Sequence, residues 1–175
     1  MKRLGIFSLL FLFLISGGSW AADALKPFQL VSSAPGDMAA IIAGTKDKLA
    51  TGGFQVVGEY SPYEGAHVVV ATNDELLKIA GQSEHGGYGA VVRVSVTENG
   101  DNVELAYANP IYWGAAYRME DTSSVAAQLA SALGGGEAFG SEEGLTAKKL
   151  KKYSTKKRAA RMDSSFFKNI FSKKC

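Results

Sequence analysis

Hydrophobic and polar positions along this chain change period repeatedly, and each change marks an element. Pro27 to Ser33 alternates Phe28, Leu30 and Ser32 against Gln29 and Val31, a short strand. Pro35-Gly36-Asp37 then opens a segment in which Met38, Ile41, Ile42, Thr45 and Leu49 recur at helical spacing and which stops at Gly52-Gly53. Phe54 to Tyr60 alternates again, and after Ser61-Pro62-Tyr63-Glu64-Gly65 the run His67 to Ala71 supplies a second strand, joined to the first by a hairpin or a short loop. Asn73 or Asp74 caps a helix carrying Leu76, Leu77 and Ile79 that ends near Gly81. Tyr88 to Thr97 is the longest alternating stretch, the turn Glu98-Asn99-Gly100-Asp101 follows, and Val103 to Asn109 returns as its partner until Pro110 stops it. Asp121, Thr122 and Ser123 cap a last helix with Val125, Leu129 and Leu133 on one stripe and Gly134-Gly135-Gly136 at its end.

The order β-α-β-β-α-β-β-α predicts an α+β fold, a two-layer sandwich of a mainly antiparallel sheet with helices on one face. Glu137 to Gly144 reads as a linker, and Leu145 to Met162 as a lysine-rich helix with a weak apolar stripe, Leu150, Tyr153 and Ala160. The organisation expected is a signal segment over 1–21, one domain over 22–136, and a linker with a basic C-terminal extension over 137–175.

The expected leader is Lys2 and Arg3, an apolar run from Leu4 to Ile15, a break at Ser16-Gly17-Gly18, and small residues in Ser19-Trp20-Ala21. This is the pattern of a secretory signal peptide cleaved after Ala21, and the run is shorter than the ~20 apolar residues of a membrane span. A periplasmic or secreted location follows as the expectation. Cys175 is the only cysteine, so no intramolecular disulfide can form, and His67 and His85 with no cysteine beside them do not make a structural zinc site. No metal and no cofactor is expected.

Charge is segregated along the chain. Ala22 to Ala147 holds six Lys/Arg against sixteen Asp/Glu, whereas Lys148 to Cys175 holds eleven Lys/Arg against Asp163 alone. Within the basic extension Phe166, Phe167, Ile170 and Phe171 share one helical face beside Lys168, the profile of a helix lying on an anionic membrane surface. A lysine-rich terminus resting on the acidic body accounts for the same composition. Nucleic acid is not expected as a partner, since a secreted protein seldom meets it and the cluster belongs to no nucleic-acid fold.

Two segments are chemically busier than packing requires. One is Gln82 to Gly89, with His85 and Tyr88 among glycines that let backbone approach a ligand. The other is Tyr107-Ala108-Asn109-Pro110-Ile111-Tyr112-Trp113-Gly114, followed by Tyr117-Arg118. If the second hairpin pairs as read, both lie toward one end of the sheet, where His85, Tyr88, Arg93, Tyr107, Asn109, Tyr112 and Arg118 would hold a small anionic ligand. An ordinary helix-to-strand loop and an ordinary strand end explain the same residues. The glycines do not form a phosphate loop, because they precede a strand and no Gly-Lys-Ser/Thr follows. No catalytic residue is assigned. Binding without catalysis is the expectation, an enzyme with His85 as general base the alternative.

The stretch Gly53-Phe54-Gln55-Val56-Val57-Gly58-Glu59-Tyr60-Ser61-Pro62, the run His67 to Thr72 before a helix, and Asn109-Pro110 after the last hairpin resemble the domain-of-unknown-function family 302 over about Phe28 to Leu133. The resemblance implies the same two-layer fold, dimers in some members, and no established activity. A homodimer is therefore expected, as the exposed edge strands of an open sheet also invite. Phe139 to Leu150 is similar to the C-terminal extension of secreted relatives, which runs on to an aromatic, acidic end. Here Ser154-Thr155-Lys156-Lys157-Arg158 leads into a basic terminus instead, a departure that a frameshift near Tyr153 would explain.

Overall fold

A computed structural model of the chain describes residues 24–152. The expected signal segment lies outside the described residues, and so does the helical face of Phe166, Phe167, Lys168, Ile170 and Phe171.

In chain order the elements are β1 (Phe28–Ala34), α1 (Met38–Thr51), β2 (Gln55–Tyr63), β3 (Ala66–Thr72), α2 (Asp74–Gly81), a 3₁₀ turn (Gly86–Gly89), β4 (Val92–Asn99), β5 (Asn102–Ala108), α3 (Pro110–Ala116), α4 (Ser123–Leu133), β6 (Glu137–Phe139) and α5 (Ala147–Lys151). The strands form one sheet in the order β2-β3-β4-β5-β1-β6, and each neighbouring pair is antiparallel. This is the expected mixed α+β sandwich.

Period-two alternation builds the buried layer. Val69 and Ala71 of β3, Val92, Val94 and Val96 of β4, and Val103, Leu105 and Tyr107 of β5 all face Leu49 of α1, Leu76 and Ile79 of α2, and Val125, Leu129 and Leu133 of α4. Full burial of each such aliphatic side chain contributes roughly 1.5–3 kcal/mol before the entropy of ordering it. Capping fixes where the helices begin. Asp37 accepts from the Ala40 amide at 2.7 Å and Asn73 from the Leu76 amide at 2.8 Å, each satisfying a donor left over in the first turn. The β4–β5 hairpin closes through Gly100-Asp101, with Gly100 at φ 62°, a conformation for which glycine carries no Cβ penalty.

The fold departs from the sequence reading at four places. The stretch beginning at Tyr88 does not start as strand: Gly86–Gly89 turns as a 3₁₀ helix and β4 begins at Val92. Gly86 rests against the backbone of Ala80, which holds the chain in a turn where alternation alone reads extended. Pro110 does not simply stop β5. It occupies the first turn of α3, where its missing N–H costs nothing, and Asn109 caps that helix by accepting from the Ile111 amide at 3.1 Å. The stretch read as a linker contains β6, which pairs with β1 through Phe28↔Phe139, Gln29↔Ala138 and Leu30↔Glu137, so the sheet runs past the boundary expected at 136. Finally, Leu25 and Leu145 exchange backbone hydrogen bonds at 2.9 Å, and α5 buries Leu150, 2% exposed, on the domain. Of the lysine-rich helix expected from Leu145 to Met162, the described part is Ala147–Lys151.

Candidate functional site

Strand β4 begins and the antiparallel β5 ends at the same end of the sheet, so the 3₁₀ turn before β4 and α3 after β5 are brought together. Their aromatic side chains make a continuous series. Tyr88 lies 5.8 Å from Tyr117 between ring centroids, Tyr117 stacks on Trp113 at 5.9 Å and 24°, Trp113 meets Phe28 at 6.4 Å, and Phe28 meets Phe139 at 5.5 Å. Tyr112 packs edge-on against Trp113 at 5.2 Å. These separations fall in the range where ring quadrupoles attract, about 4.5–7 Å. The Arg93 guanidinium sits 5.7 Å from the Trp113 ring centroid, within the ~6 Å reach of a cation–π contact.

Two hydrogen bonds lock the platform. Trp113 Nε1 donates to the Pro27 carbonyl at 3.1 Å, and the Asn109 amide nitrogen donates to the Lys26 carbonyl at 2.9 Å, so α3 is tied to the chain entering β1. Gly114 allows α3 to approach Thr122, whose hydroxyl donates to the Pro110 carbonyl at 2.9 Å in a buried position. Beyond α3, Arg118 takes φ 60°, the left-handed closure of a helix end more often given to glycine, and its Nε donates to the Lys151 carbonyl at 3.1 Å.

Of the residues expected at this end, Tyr88 and Arg93 line a small cavity together with Trp113, Tyr117, Met119 and Ala108. Its volume, about 20 Å³, suits a single water molecule and is too small to enclose a larger ligand. Tyr88 is 69% exposed. Tyr107 belongs to the buried core layer, and its burial raises the phenol pKa above the ordinary value. Asn109 is a helix cap, Tyr112 supports Trp113, and Arg118 braces α5. His85 precedes the 3₁₀ turn without a capping hydrogen bond from its side chain and does not line the cavity.

The opposite end of the sheet carries polar chemistry that the sequence reading did not single out. Glu59 and Ser61 of β2 and His67 of β3 share the helix-covered face, because Glu59 pairs with Val69 and His67 lies two residues from Val69. Ser61 Oγ is 3.0 Å from His67 Nδ1, His67 Nε2 is 3.1 Å from Glu59 Oε2, and Lys46 Nζ from α1 is 3.2 Å from the same oxygen. The hydrogen bond from His67 is the main influence holding the Glu59 carboxyl below its usual pKa, aided by the Lys46 hydrogen bond and charge. Beside these residues a groove of about 760 Å³ is lined by Met38, Ala39, Ile42, Tyr63 and Ala66 with the carboxylates of Asp37, Glu64 and Glu98. The available sequence signal was parity: Glu59 and Ser61 fall on one face of a strand that a turn at Glu64-Gly65 folds back onto His67.

No protein-family model and no curated protein matches the chain. Its structure is similar to the crystal structure of an uncharacterized conserved DUF302 protein from Bacillus stearothermophilus, with a TM-score of 0.51 at 15% identity over 61% of this chain and 93% of that one. The fold is therefore DUF302-like, and the likeness extends to architecture alone.

Proposed function

We propose that this chain binds a small planar anion on its aromatic platform, with no chemistry done at that site. The observation that carries this reading is the Tyr88–Tyr117–Trp113 series, in which Tyr88 is exposed and Tyr117 and Trp113 are half-buried, with the Arg93 cation set over Trp113. A stacked, pre-ordered aromatic surface offers contact area at low entropic cost. Among the described residues no carboxylate within ion-pairing distance of Arg93 neutralises it, so its charge is available to a carboxylate or sulfonate lying on the rings. A closed catalytic pocket is not needed for such recognition, and the narrow cavity under Tyr88 fits it. The setting is secreted or periplasmic, as the leader implies.

Titration of the protein with 1-naphthoate, followed by Trp113 fluorescence and by melting temperature, tests the reading. Binding should quench the indole and raise the melting temperature by mass action, and both responses should fall at least about tenfold in affinity in Arg93→Ala and in Tyr88→Ala. Unchanged affinity in both variants would refute it.

A further inference from the structure

We propose a second, catalytic site at the far end of the sheet, in which Ser61 is an acyl-accepting nucleophile activated by His67 and held in line by Glu59. It is independent of the platform: it shares no residue with it and lies where β2 turns into β3 and β4 ends.

The hydrogen-bond roles follow from the chemistry of each group. An ionised carboxylate can only accept, so His67 Nε2 must carry the hydrogen that Glu59 receives. In the neutral ring Nδ1 is then the acceptor, and the hydrogen between Nδ1 and Ser61 Oγ is the hydroxyl proton. Nucleophile, base and orienter thus follow one another at 3.0 and 3.1 Å, the arrangement by which a serine hydroxyl is deprotonated as it attacks. Lys46 holds the second position on Glu59 Oε2, so the orienting carboxylate is itself braced from α1. The His67 side chain is largely covered, 18% exposed, which fixes its ring while Ser61 faces outward. The bulge between Tyr60 and Tyr63 turns Ser61 out of the β2–β3 ladder toward the groove that it lines with His67.

The lining selects the substrate class. Met38, Ala39, Ile42 and Ala66 favour an apolar acyl chain, and Asp37, Glu64 and Glu98 repel anions. The groove is within the ~300–1,000 Å³ of small-molecule sites. An uncharged or cationic ester of a small apolar acid fits, and a carboxylate ester does not. In the reaction Ser61 Oγ bonds to the carbonyl carbon as its proton moves to His67 Nδ1. The carbon–oxygen bond to the alcohol then breaks, and the leaving oxygen takes that proton. Water, giving a proton to Nδ1, attacks the acyl-serine and releases the acid with Ser61 restored. The net change is ester plus water to acid plus alcohol. Repulsion by the three carboxylates also expels the acid product.

A fluorophosphonate ester probe reports the nucleophile directly, since Ser61 Oγ would displace fluoride and keep the phosphorus. The full chain is incubated with the probe and the modified peptide is identified by mass spectrometry. The expected result is an adduct on Ser61 whose rate of formation drops by about 100-fold in His67→Ala, the usual scale of a positioned base, and at least about tenfold in Glu59→Gln. Melting temperatures of the variants within a few degrees of the parent keep a folding defect from imitating that loss. The proposal is overturned if Ser61 is not labelled, or if it is labelled at the same rate in His67→Ala.

Discussion

Gly86 and Gly87 are neighbours in the same 3₁₀ turn, and the structure assigns them opposite responses to alanine. A Cβ on Gly86 would stand 2.7 Å from the Ala80 carbonyl carbon and 2.9 Å from its Cα, and nearer still to the carbonyl oxygen. Carbon atoms in contact sit at about 3.5–4.0 Å, so roughly 1 Å of separation must be found. Nothing flexible can supply it. The opposing atoms are backbone in the last turn of α2, Ala80 is buried in the core beside Ile79, and the Gly86 amide is committed to the Ser83 carbonyl at 3.0 Å. Overpacking of this kind costs about 1–3 kcal/mol, and rigid backbone on both sides places Gly86→Ala near 3. Against it stands the ~0.4–1 kcal/mol that alanine gains by restricting the unfolded chain, available because neither glycine has a positive φ. The net expectation is a loss of about 2 kcal/mol. A methyl group on Gly87 would meet no atom within 4 Å, so Gly87→Ala keeps the gain and loses nothing.

Urea unfolding followed by Trp113 fluorescence separates the two. With a slope of about 1–3 kcal/mol/M, Gly86→Ala should lower the midpoint by about 1 M and Gly87→Ala should leave it unchanged or raise it slightly. Gly86→Ala should also weaken naphthoate binding, because the displaced turn carries Tyr88 away from Tyr117. Equal midpoints for the two variants would refute the packing argument.

Tyr107→Phe should widen the alkaline range of stability. The buried phenol has a raised pKa from desolvation, so its contribution is whole below the unfolded value of about 10 and is lost as pH climbs through the folded one; a midpoint-versus-pH series from 8 to 11 should show a shallower decline in the variant. Leu150→Ala removes the buried anchor of α5 and should speed hydrogen exchange at the Leu25 and Leu145 amides, which bond each other, while amides of β4 stay protected. Asn109→Ala deletes the cap on Ile111 and the tie to Lys26 at once and should cost about 1–2 kcal/mol in chemical unfolding, with a neutral result refuting the role of that side chain.

The eight-element alternation was legible because each element there is long enough to show a period, and its ends carry glycine or a short polar cap. Asp37, Asn73 and Gly100 acted where their chemistry said they would. What escaped was governed by local contacts that a period does not carry. A three-residue strand such as Glu137–Phe139 has no measurable alternation, and position 136 takes glycine because a side chain there would strike the Leu30 carbonyl. Pro110 is compatible both with stopping β5 and with opening α3, and only the Asn109 cap decides. The platform was legible in type, as aromatics with Arg93, yet Phe28 and Phe139 join it through the β1–β6 pairing, which the sequence does not announce. Ser61 and His67 meet because register, with its bulge, sets one strand against the other.

Charge segregation along the chain becomes segregation in space. The basic run opens at α5, and α5 packs on α3 where Arg118 donates to the Lys151 carbonyl, so Lys148, Lys149 and Lys151 gather at the end of the sheet that holds Arg93. Asp37, Glu59, Glu64 and Glu98 collect at the other end, around the groove. A strand of seven residues is about 23 Å long at ~3.3 Å each, against a Debye length of about 8 Å at physiological salt. The two ends are therefore electrostatically separate, and each is mixed in sign: Glu75, Glu120 and Asp121 neighbour residues that line the platform cavity, and Lys46 sits on Glu59 beside Ser61. The two proposed sites share no residue and lie farther apart than charge is felt through salt water, so variants at Arg93 and at Ser61 should act independently: Arg93→Ala should leave the labelling rate of Ser61 unchanged, and a changed rate would refute their separation.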